Sequence, residues 1–395
     1  MKKRWLFPAI TLFFIVSTTL TLWSVFQPND DPIQNGHFVY SGERVEPLVG
    51  EWLFYPDVFL TPDSKELEET KPEQIHVPSS WKGRVAKRPI EIGTYRLLID
   101  VPEKTSYAVR THHIRYANKM YMNGQLVGQA GQPSTTLDAF RPSRHMYTAH
   151  ASSREGTIDL MFHVSNMATH PTGGLVDAPL FGTSPLMSQQ MTKMIALDAA
   201  IATSLLLVGF FFLTRAMFNK DSVEYYFSLF AFTQGTYQML RGERLLEMII
   251  GSFSTSLLTT IQFLLITLTS YFFYRFILRL YPNYLPRRLV RFSLVVIALQ
   301  LVLSFVIGWM LATQATIPYI FVQIWIIGFN TFIYLQILYV LFRVYRSGHP
   351  LSLFLYSATL AFVHYLFIIA MNFVYDIPVH TYGSILLLAV VIFLA

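Results

Sequence analysis

Five residues in the first half of the chain have side chains that a carbohydrate site uses. Aromatic rings pack on the apolar faces of sugars, and guanidinium, imidazole and amide groups hydrogen-bond to sugar hydroxyls. The set is Trp81, Arg115, Arg141, His145 and Asn166. Two of them have a second interpretation of equal standing. Trp81 is also expected as a core residue of a β domain, and Asn166 is also expected to cap a turn.

No pattern in the sequence predicts catalysis or a metal centre. Glycosidase chemistry needs two carboxylates at a fixed separation, and the acidic residues of the first half show no pairing motif. The adjacent His112 and His113 would point to opposite faces of a strand, so they cannot bind one metal ion together. The chain has no cysteine, which excludes disulfides and thiolate chemistry. We therefore expect no enzyme activity, no cofactor and no metal ion.

The second half of the chain predicts an all-α membrane domain over residues 188–395. About 20 apolar residues in a helix span the hydrocarbon core of a membrane, and seven apolar runs with almost no internal charge follow one another here. They cover residues 194–214, 223–240, 254–278, 290–312, 317–342, 351–374 and 378–395. A hydrophobic fraction of 53% over the whole chain agrees with this prediction.

Polar residues inside these runs are candidates for carrying a signal across the membrane. We single out Asp198, His364 and Asn372, because ionisable and amide groups are costly in lipid and are often functional there. Several Gln and Asn residues are spread over runs two to five. The alternative interpretation is structural, since hydrogen bonds between helices stabilise their packing by roughly 0.6–2 kcal/mol each.

Basic residues predict the orientation of the membrane domain, because short loops rich in Lys and Arg stay in the cytoplasm. The loops after runs one, three and five contain Arg215, Lys220, Arg275, Arg279, Arg287, Arg288, Arg291, Arg343 and Arg346. The other side has Lys193, Arg241 and Arg244. Residues 27–190 should therefore lie outside a bacterial cytoplasmic membrane, with the C-terminus inside. Residues 1–26, basic and then apolar, agree with this as a signal peptide or a retained anchor helix.

Residues 27–187 are polar and predict a β-sandwich. Apolar residues alternate along Thr157–Val164, as in a half-buried strand, and Asn123-Gly124 predicts a hairpin turn. Only Pro62–Thr70 suggests a short helix. Many short strands separated by turns are typical of a sandwich. Ser188–Gln190 is expected to be a short polar connector to the membrane domain.

The motifs of this β segment occur in an order that resembles a known receptor family. They are Leu48–Tyr55, Val77–Trp81, Gly93–Arg96, Tyr121–Val127, Val164–Asn166, Gly173–Leu175 and Pro179–Gly182. Followed by seven spans, this order resembles the bacterial seven-transmembrane receptors with diverse intracellular signalling modules. It is similar, more distantly, to the jelly-roll sugar-binding domain of family-two glycoside hydrolases.

The resemblance implies an outer jelly-roll domain that binds a carbohydrate or related small molecule. Seven helices would pass the signal to a cytoplasmic output module, a histidine kinase or a cyclase, and such receptors usually form homodimers. The sequence given contains no output module. We expect it to be part of a longer receptor, or else to signal through a partner protein. The alternative is a membrane-anchored carbohydrate-binding or transport-associated module without signalling output. No cluster of basic and aromatic residues predicts nucleic-acid binding.

The absence of native cysteine allows the orientation to be tested directly. In intact cells, we expect Lys193→Cys to react with a membrane-impermeant maleimide. Arg287→Cys should react only after the membrane is permeabilised, because its loop is predicted to be cytoplasmic. Labelling of Arg287→Cys in intact cells would contradict the predicted orientation.

Overall fold

A computed structural model describes the two parts of the chain that the sequence predicts. A β domain (32–183) is followed by a helical domain (184–375). The described residues are 8, 11–16, 19, 32–62, 64–81, 90–102, 105–153, 156–167, 173–220, 222–313, 319–348 and 351–375. The seventh predicted run, 378–395, and most of the N-terminal segment 1–26 lie outside them.

The described part of the β domain contains thirteen strands. They are β1 His37–Val39, β2 Glu46–Pro47, β3 Gly50–Pro56, β4 Glu73–Val77, β5 Ile92–Asp100, β6 Ser106–Arg110, β7 Ile114–Arg115, β8 Ala117–Met122, β9 Gln125–Ala130, β10 Thr148–Ser152, β11 Thr157–Ser165, β12 Gly174–Leu175 and β13 Leu180–Thr183. The larger sheet has the order β4-β3-β5-β11-β8-β9, with β1 beside β5. A second sheet has the order β10-β6-β13-β2, and β12 pairs with β7.

Side chains from the two larger sheets meet in one apolar core. The alternate residues predicted for β11 are all buried, with Phe162 at its centre. Tyr107 of β6 and Phe181 of β13 enter the same core from the second sheet and stack on each other. Trp52 is fully enclosed there as well. The prediction of a β-rich first part is therefore confirmed.

Two local predictions in the β domain are confirmed. Asn123 and Gly124 both have positive φ, 51° and 82°, and connect β8 to β9 as a hairpin. This backbone suits an Asn-Gly turn, since glycine has no Cβ to clash and asparagine tolerates the left-handed region. The predicted short helix is present as α1, Glu66–Glu69.

The described part of the helical domain contains six long helices and one short one. They are α2 Ser184–Asn219, α3 Ser222–Met239, the short α4 Leu245–Ile250, α5 Thr255–Leu280, α6 Arg287–Ala312, α7 Tyr319–Arg346 and α8 Leu351–Tyr375. The long helices coincide with the first six predicted runs. Within the described residues, four helical segments are long and apolar enough to cross a membrane: Ser184–Asn219, Thr255–Leu280, Arg287–Ala312 and Ile324–Arg346.

The junction between the two domains is tighter than predicted. Strand β13 ends at Thr183 and helix α2 begins at the next residue, with Pro185 in its first turn. Ser188–Gln190 is therefore helical, and the predicted polar connector is wrong. A helix of 36 residues is about 54 Å long, whereas a hydrocarbon core is about 30 Å thick. The polar first turns of α2 account for the length that exceeds this thickness, and they lie against the β domain.

The two ends of the helical domain differ in charge. At the end near the β domain, Thr255 of α5 donates to the backbone carbonyl of Pro142, 3.3 Å away. At the opposite end, Arg215 pairs with Glu224 at 2.6 Å. There the hydroxyls of Tyr284 and Ser347 also join the loops after α5 and α7 at 3.2 Å. The loops with most of the basic residues thus lie at the end away from the β domain.

The contribution of the shared core can be measured on the full chain. We expect Phe162→Ala to lower the free energy of unfolding by about 3–5 kcal/mol, because it leaves a cavity where both sheets meet. Leu126→Ala removes a side chain that is 51% exposed and should cost under about 0.5 kcal/mol. Thermal unfolding in detergent, followed by near-UV circular dichroism, provides the comparison. Equal effects of the two variants would contradict this core.

Candidate ligand site at the junction of the two domains

The first turns of helix α2 follow strand β6 along the side of the β domain. The hydroxyls of Ser106 and Ser184 lie 2.8 Å apart where both elements begin. Further along, the Thr148 hydroxyl, opposite Arg110 in the sheet, contacts the sulfur of Met191 at 3.3 Å. Strand β6 also pairs with β13, from which α2 continues. The β domain and α2 are therefore joined along their lengths and not only at one peptide bond.

Asp198 of α2 fixes the loop that connects α3 to α4. Its Oδ2 accepts the backbone N–H of Glu243 at 2.8 Å, and its Oδ1 lies 3.4 Å from the side-chain nitrogen of Gln238. Between them, Gly242 has φ +51°, and a Cβ there would lie 2.0 Å from Asp198 Oδ2. The loop therefore needs glycine at this position to approach the carboxylate.

Glu243 connects this loop to the β domain through a buried ion pair. Its carboxylate accepts a hydrogen bond from the guanidinium of Arg110, at the end of β6. His112 Nε2 lies 3.8 Å from the same carboxylate. Arg110 and Glu243 are only 4% and 3% exposed. A charge at that depth is tolerated because it has a close partner of opposite sign.

The pKa of Glu243 is set by two opposing influences. Burial alone would raise the pKa of this carboxyl, because a charged group is less stable away from water. The contact with His112 and the positive charge of Arg110 outweigh burial and lower the pKa below its ordinary value of 4.5. Glu243 is therefore ionised at neutral pH.

Beside this ion pair, a cavity of 320 Å³ lies between the β domain and the helices. Its end near the β domain is polar and mostly cationic. The polar residues lining that end are His112, His113, Arg115, Tyr116, Arg144, Asp177, Arg241 and Arg244. Four arginines line the cavity here against one aspartate, and Glu247 pairs with one of the four, Arg244. The remaining excess of positive charge favours an anionic group.

The cavity continues between the helices, where its wall is mostly apolar. The apolar residues from α5 to α8 that line this section are Phe263, Ile266, Ile307, Leu311, Val322, Ile326, Ile327, Val363, Leu366 and Phe367. A wall with a cluster of polar groups at one end and hydrophobic side chains elsewhere is typical of small-molecule sites.

The inner end of the cavity is connected to hydrogen bonds between helices. Asn330 and Tyr334 of α7 line the cavity, and both contact the Ser270 hydroxyl of α5, at 3.1 Å and 3.3 Å. Further from the β domain, Gln336 Oε1 of α7 accepts hydrogen bonds from Tyr274 of α5 at 2.9 Å and from Ser293 of α6 at 3.1 Å. The helices are thus joined by two separate groups of polar contacts, one at the cavity and one further from the β domain.

Two arginines at the polar end of the cavity, Arg144 and Arg244, interact unfavourably with each other. The pKa of Arg244 falls to about 10, because the side chain is buried and because Arg144 places a second positive charge nearby. Glu247 partly offsets this with a hydrogen bond of 3.2 Å to Arg244. A further negative charge at the polar end of the cavity would therefore be electrostatically favourable.

The five residues predicted for a sugar site are placed in different surroundings. Trp81 is a core residue that donates from Nε1 to the Tyr95 hydroxyl at 2.7 Å. Asn166 is also buried. The exposed Arg141 donates to the backbone oxygens of Asp138 and Phe140. The remaining two residues line cavities. Arg115 lines the large cavity, and His145 lines a smaller neighbouring cavity of 260 Å³.

These placements change the expected role of one residue and leave the others as predictions. The buried indole of Trp81 packs against Phe54 and is not available to stack on a sugar, which corrects that expectation. Arg115 is the predicted residue that lines the large cavity described above.

The three residues predicted inside the membrane domain also differ in their surroundings. Asp198 is buried at the end near the β domain, as its position in the first run predicts. His364 is buried within α8. Asn372 lies in the last turn of α8, and its side chain lies outside the described residues. A role in signalling stays a prediction for all three.

Arg110, Glu243, Arg144 and Arg244 are the site residues that sequence reasoning missed. A signal for two of them is present in the sequence. The loop Arg241–Glu247 places four charges between two apolar runs, which is unusual for an exposed loop of minimal length. Arg110 and Arg144 have no such signal, because polar residues are common throughout the β segment. For the described residues, no group of three or more His, Asp and Glu could hold a metal ion.

No family model and no curated protein matches this chain. Among solved structures, part of the chain is similar to glycoside hydrolases, including the following three. A glycosyl hydrolase family 2 member from Bacteroides cellulosilyticus is 14% identical over 35% of this chain and 20% of its own, with a TM-score of 0.29. A β-glucuronidase from an uncultured Clostridium is 15% identical over 38% and 30%, with a TM-score of 0.28. A family 2 β-galacturonidase from Eisenbergiella tayi is 11% identical over 35% and 24%, with a TM-score of 0.27.

The chain thus spans less than a third of the length of each of these three hydrolases. Similarity at these identities and TM-scores carries no argument about function. The function must be inferred from the junction itself.

The ion pair at the junction can be tested by a single substitution. We expect Glu243→Gln to lower the free energy of unfolding by about 3–5 kcal/mol, because Arg110 remains buried without its counter-charge. Glu46→Gln breaks a pair with Arg44, whose side chain is 81% exposed, and should cost under about 1 kcal/mol. Denaturant unfolding of the full chain in detergent measures both values.

The same variant has a defined pH dependence. A carboxyl with a lowered folded-state pKa stabilises the fold above its unfolded-state pKa, and this stabilisation is lost as the pH falls through the folded-state value. The difference between the native chain and Glu243→Gln should therefore be complete above pH 4.5, and it should be lost as the pH falls further, through the lowered folded-state pKa of Glu243. A difference that does not decrease as the pH is lowered would contradict the role of the ionised carboxylate.

Proposed function

We propose that this chain is the sensing and membrane-spanning part of a receptor in a bacterial cytoplasmic membrane. The observation that carries the proposal is a cavity whose wall is shared by the β domain and the helices, beside a buried ion pair that joins them. A ligand in such a cavity contacts both domains at once. Its binding energy can therefore favour one relative position of the domains over another.

The continuous connection between β13 and α2 supports a mechanical role for the junction. Strand β6 is joined to α2 directly through β13 and indirectly through Arg110, Glu243 and Asp198. Any displacement of the β domain is therefore applied to the first membrane helix at two points. Because packed helices shift in steps of about 1–2 Å between discrete arrangements, a small movement at the junction suffices.

Two groups of interhelical hydrogen bonds support a relay through the helices. In the first, Asn330 and Tyr334 line the cavity, and both bond to α5. In the second, further from the β domain, Gln336 bonds to α5 and α6. Each bond contributes only about 0.6 kcal/mol on average, so exchange of partners among them is inexpensive. We propose that this exchange is how the helices report occupancy of the cavity.

Several finer features belong to the same proposal. The β domain is a jelly roll outside the membrane, and the run 378–395 is a seventh span that ends in the cytoplasm. The recipient of the signal is a cytoplasmic output module, a kinase or a cyclase, or a partner protein that contains one. A homodimer is the proposed working unit. The support for these features is the loop charge, the order of sequence motifs and the two-domain architecture.

Spin labels in this cysteine-free chain can test coupling across the membrane domain. With labels at Arg279→Cys and Ser347→Cys, at the end away from the β domain, we expect Glu243→Gln to shift the measured distance by about 1–2 Å. The reason is that loss of the ion pair at one end changes helix packing at the other. Pulsed electron paramagnetic resonance in lipid nanodiscs gives the distance distribution.

The control is Arg44→Gln, which changes an exposed residue of the β domain and should leave the distance unaltered. The Gln336→Leu background should reduce the shift, since it removes the bonds to α5 and α6. A folded Glu243→Gln protein with unaltered distances would overturn the receptor proposal and favour a binding or transport-associated module.

A further inference from the structure

The polar end of the large cavity is lined by one arginine, Arg144, that has no ion-pair partner among the residues described. Within the described ranges, Arg144 makes no ion pair and no side-chain hydrogen bond, and its Nε is shut off from solvent. Its neighbours differ in this respect, because Arg110 pairs with Glu243 and Arg244 with Glu247. A guanidinium in such surroundings binds an anion more strongly than one in water does.

The rest of the wall favours an apolar occupant over a small hydrophilic anion. Between the helices, ten apolar side chains from α5 to α8 outnumber the five polar ones that also line the cavity there, Thr259, Gln262, Asn330, Thr331 and Tyr334. A sugar or an inorganic anion placed there would lose more hydrogen bonds to water than these few groups replace. An alkyl chain would instead gain from leaving water, by about fourfold in affinity for each buried methylene.

The order of these two surfaces along the cavity selects one kind of molecule. The cationic end lies against the β domain, and the apolar section lies between the membrane helices. An amphiphile whose head is near the membrane surface and whose chain points inward has the same order of polarity. The volume of 320 Å³ is at the lower end of the usual range for small-molecule sites, about 300–1,000 Å³. One chain fits this volume better than two.

We propose that the cavity binds a single-chain amphiphile with an anionic head group, a carboxylate or a phosphate monoester. The head contacts Arg144 and its cationic neighbours, and the chain lies against α5, α6, α7 and α8. This inference rests on the proposed receptor function and adds the chemical class of its ligand.

The binding experiment uses the full chain in nanodiscs of phosphatidylcholine, with radiolabelled dodecanoate as the probe. We expect saturable binding, about one molecule per chain, above the amount taken up by protein-free nanodiscs. Competition distinguishes the possible sources of the anion. Unlabelled dodecanoate and dodecyl phosphate should displace the probe, and the more effective of the two identifies the head group. Dodecanol should be at least about tenfold weaker, and inorganic phosphate and galacturonate should not compete.

Two substitutions assign the binding to this cavity. Arg144→Gln should weaken dodecanoate binding about tenfold, because a charge-assisted hydrogen bond is replaced by a neutral one. It should leave the weak binding of dodecanol unchanged. The matched control Arg44→Gln removes an arginine that is 81% exposed, and it should have no effect. Ile326→Trp fills the apolar section and should abolish binding of both molecules; Val363→Phe serves the same purpose if the tryptophan variant does not fold.

The proposal is overturned if dodecanoate binds no better than to protein-free nanodiscs. It is also overturned if Arg144→Gln binds dodecanoate normally, or if galacturonate or phosphate displaces the probe. These outcomes are separate from failure of the receptor proposal, which the spin-label distances test without any ligand. Absent dodecanoate binding with a normal response to Glu243→Gln rejects the ligand class alone. Normal binding with unaltered distances rejects the receptor function alone.

Discussion

The buried ion pair between Arg110 and Glu243 is the interaction on which the relation between the two domains depends. One partner ends a strand of the β domain, and the other lies in the loop between α3 and α4 of the helical domain. Neither charge can stay buried without the other. The pair therefore joins the two domains beside the cavity, whose lining includes the neighbouring residues His112, Gly242 and Arg244. Asp198 completes the connection by binding the Glu243 backbone from the first membrane helix.

This arrangement places two kinds of physical chemistry next to each other. The β domain is stabilised by burial of apolar side chains away from water, as the enclosed Phe162 illustrates. In lipid, helices gain little from apolar burial, and packing and polar contacts such as those of Gln336 determine their arrangement. The cavity lies where the two environments meet. A ligand there can combine charge recognition with burial of an apolar chain.

The tight continuation of β13 into α2 has a consequence for movement. A flexible linker would allow the β domain to move without affecting the membrane helices. Here the first turns of α2 are bonded to the β domain through Ser184 and Met191, and the helix then enters the apolar region without interruption. The junction can therefore transmit a rotation or a tilt, which suits the receptor function that we propose.

The sequence by itself determined the features that depend on local periodicity. The strand containing Phe162, the turn at Asn123-Gly124 and the long apolar helices follow from side-chain alternation, turn geometry and segment length. Tertiary structure alone decided the site. Arg110 and Glu243 are 133 residues apart in the chain, and only folding brings them together. For the same reason, the sequence could not decide between the core and a sugar site for Trp81, and it could not place Arg144 beside a cavity. The residues that such a side chain contacts, and how deeply it is buried, decide whether it is structural or binds a ligand. Both depend on how the folded chain packs.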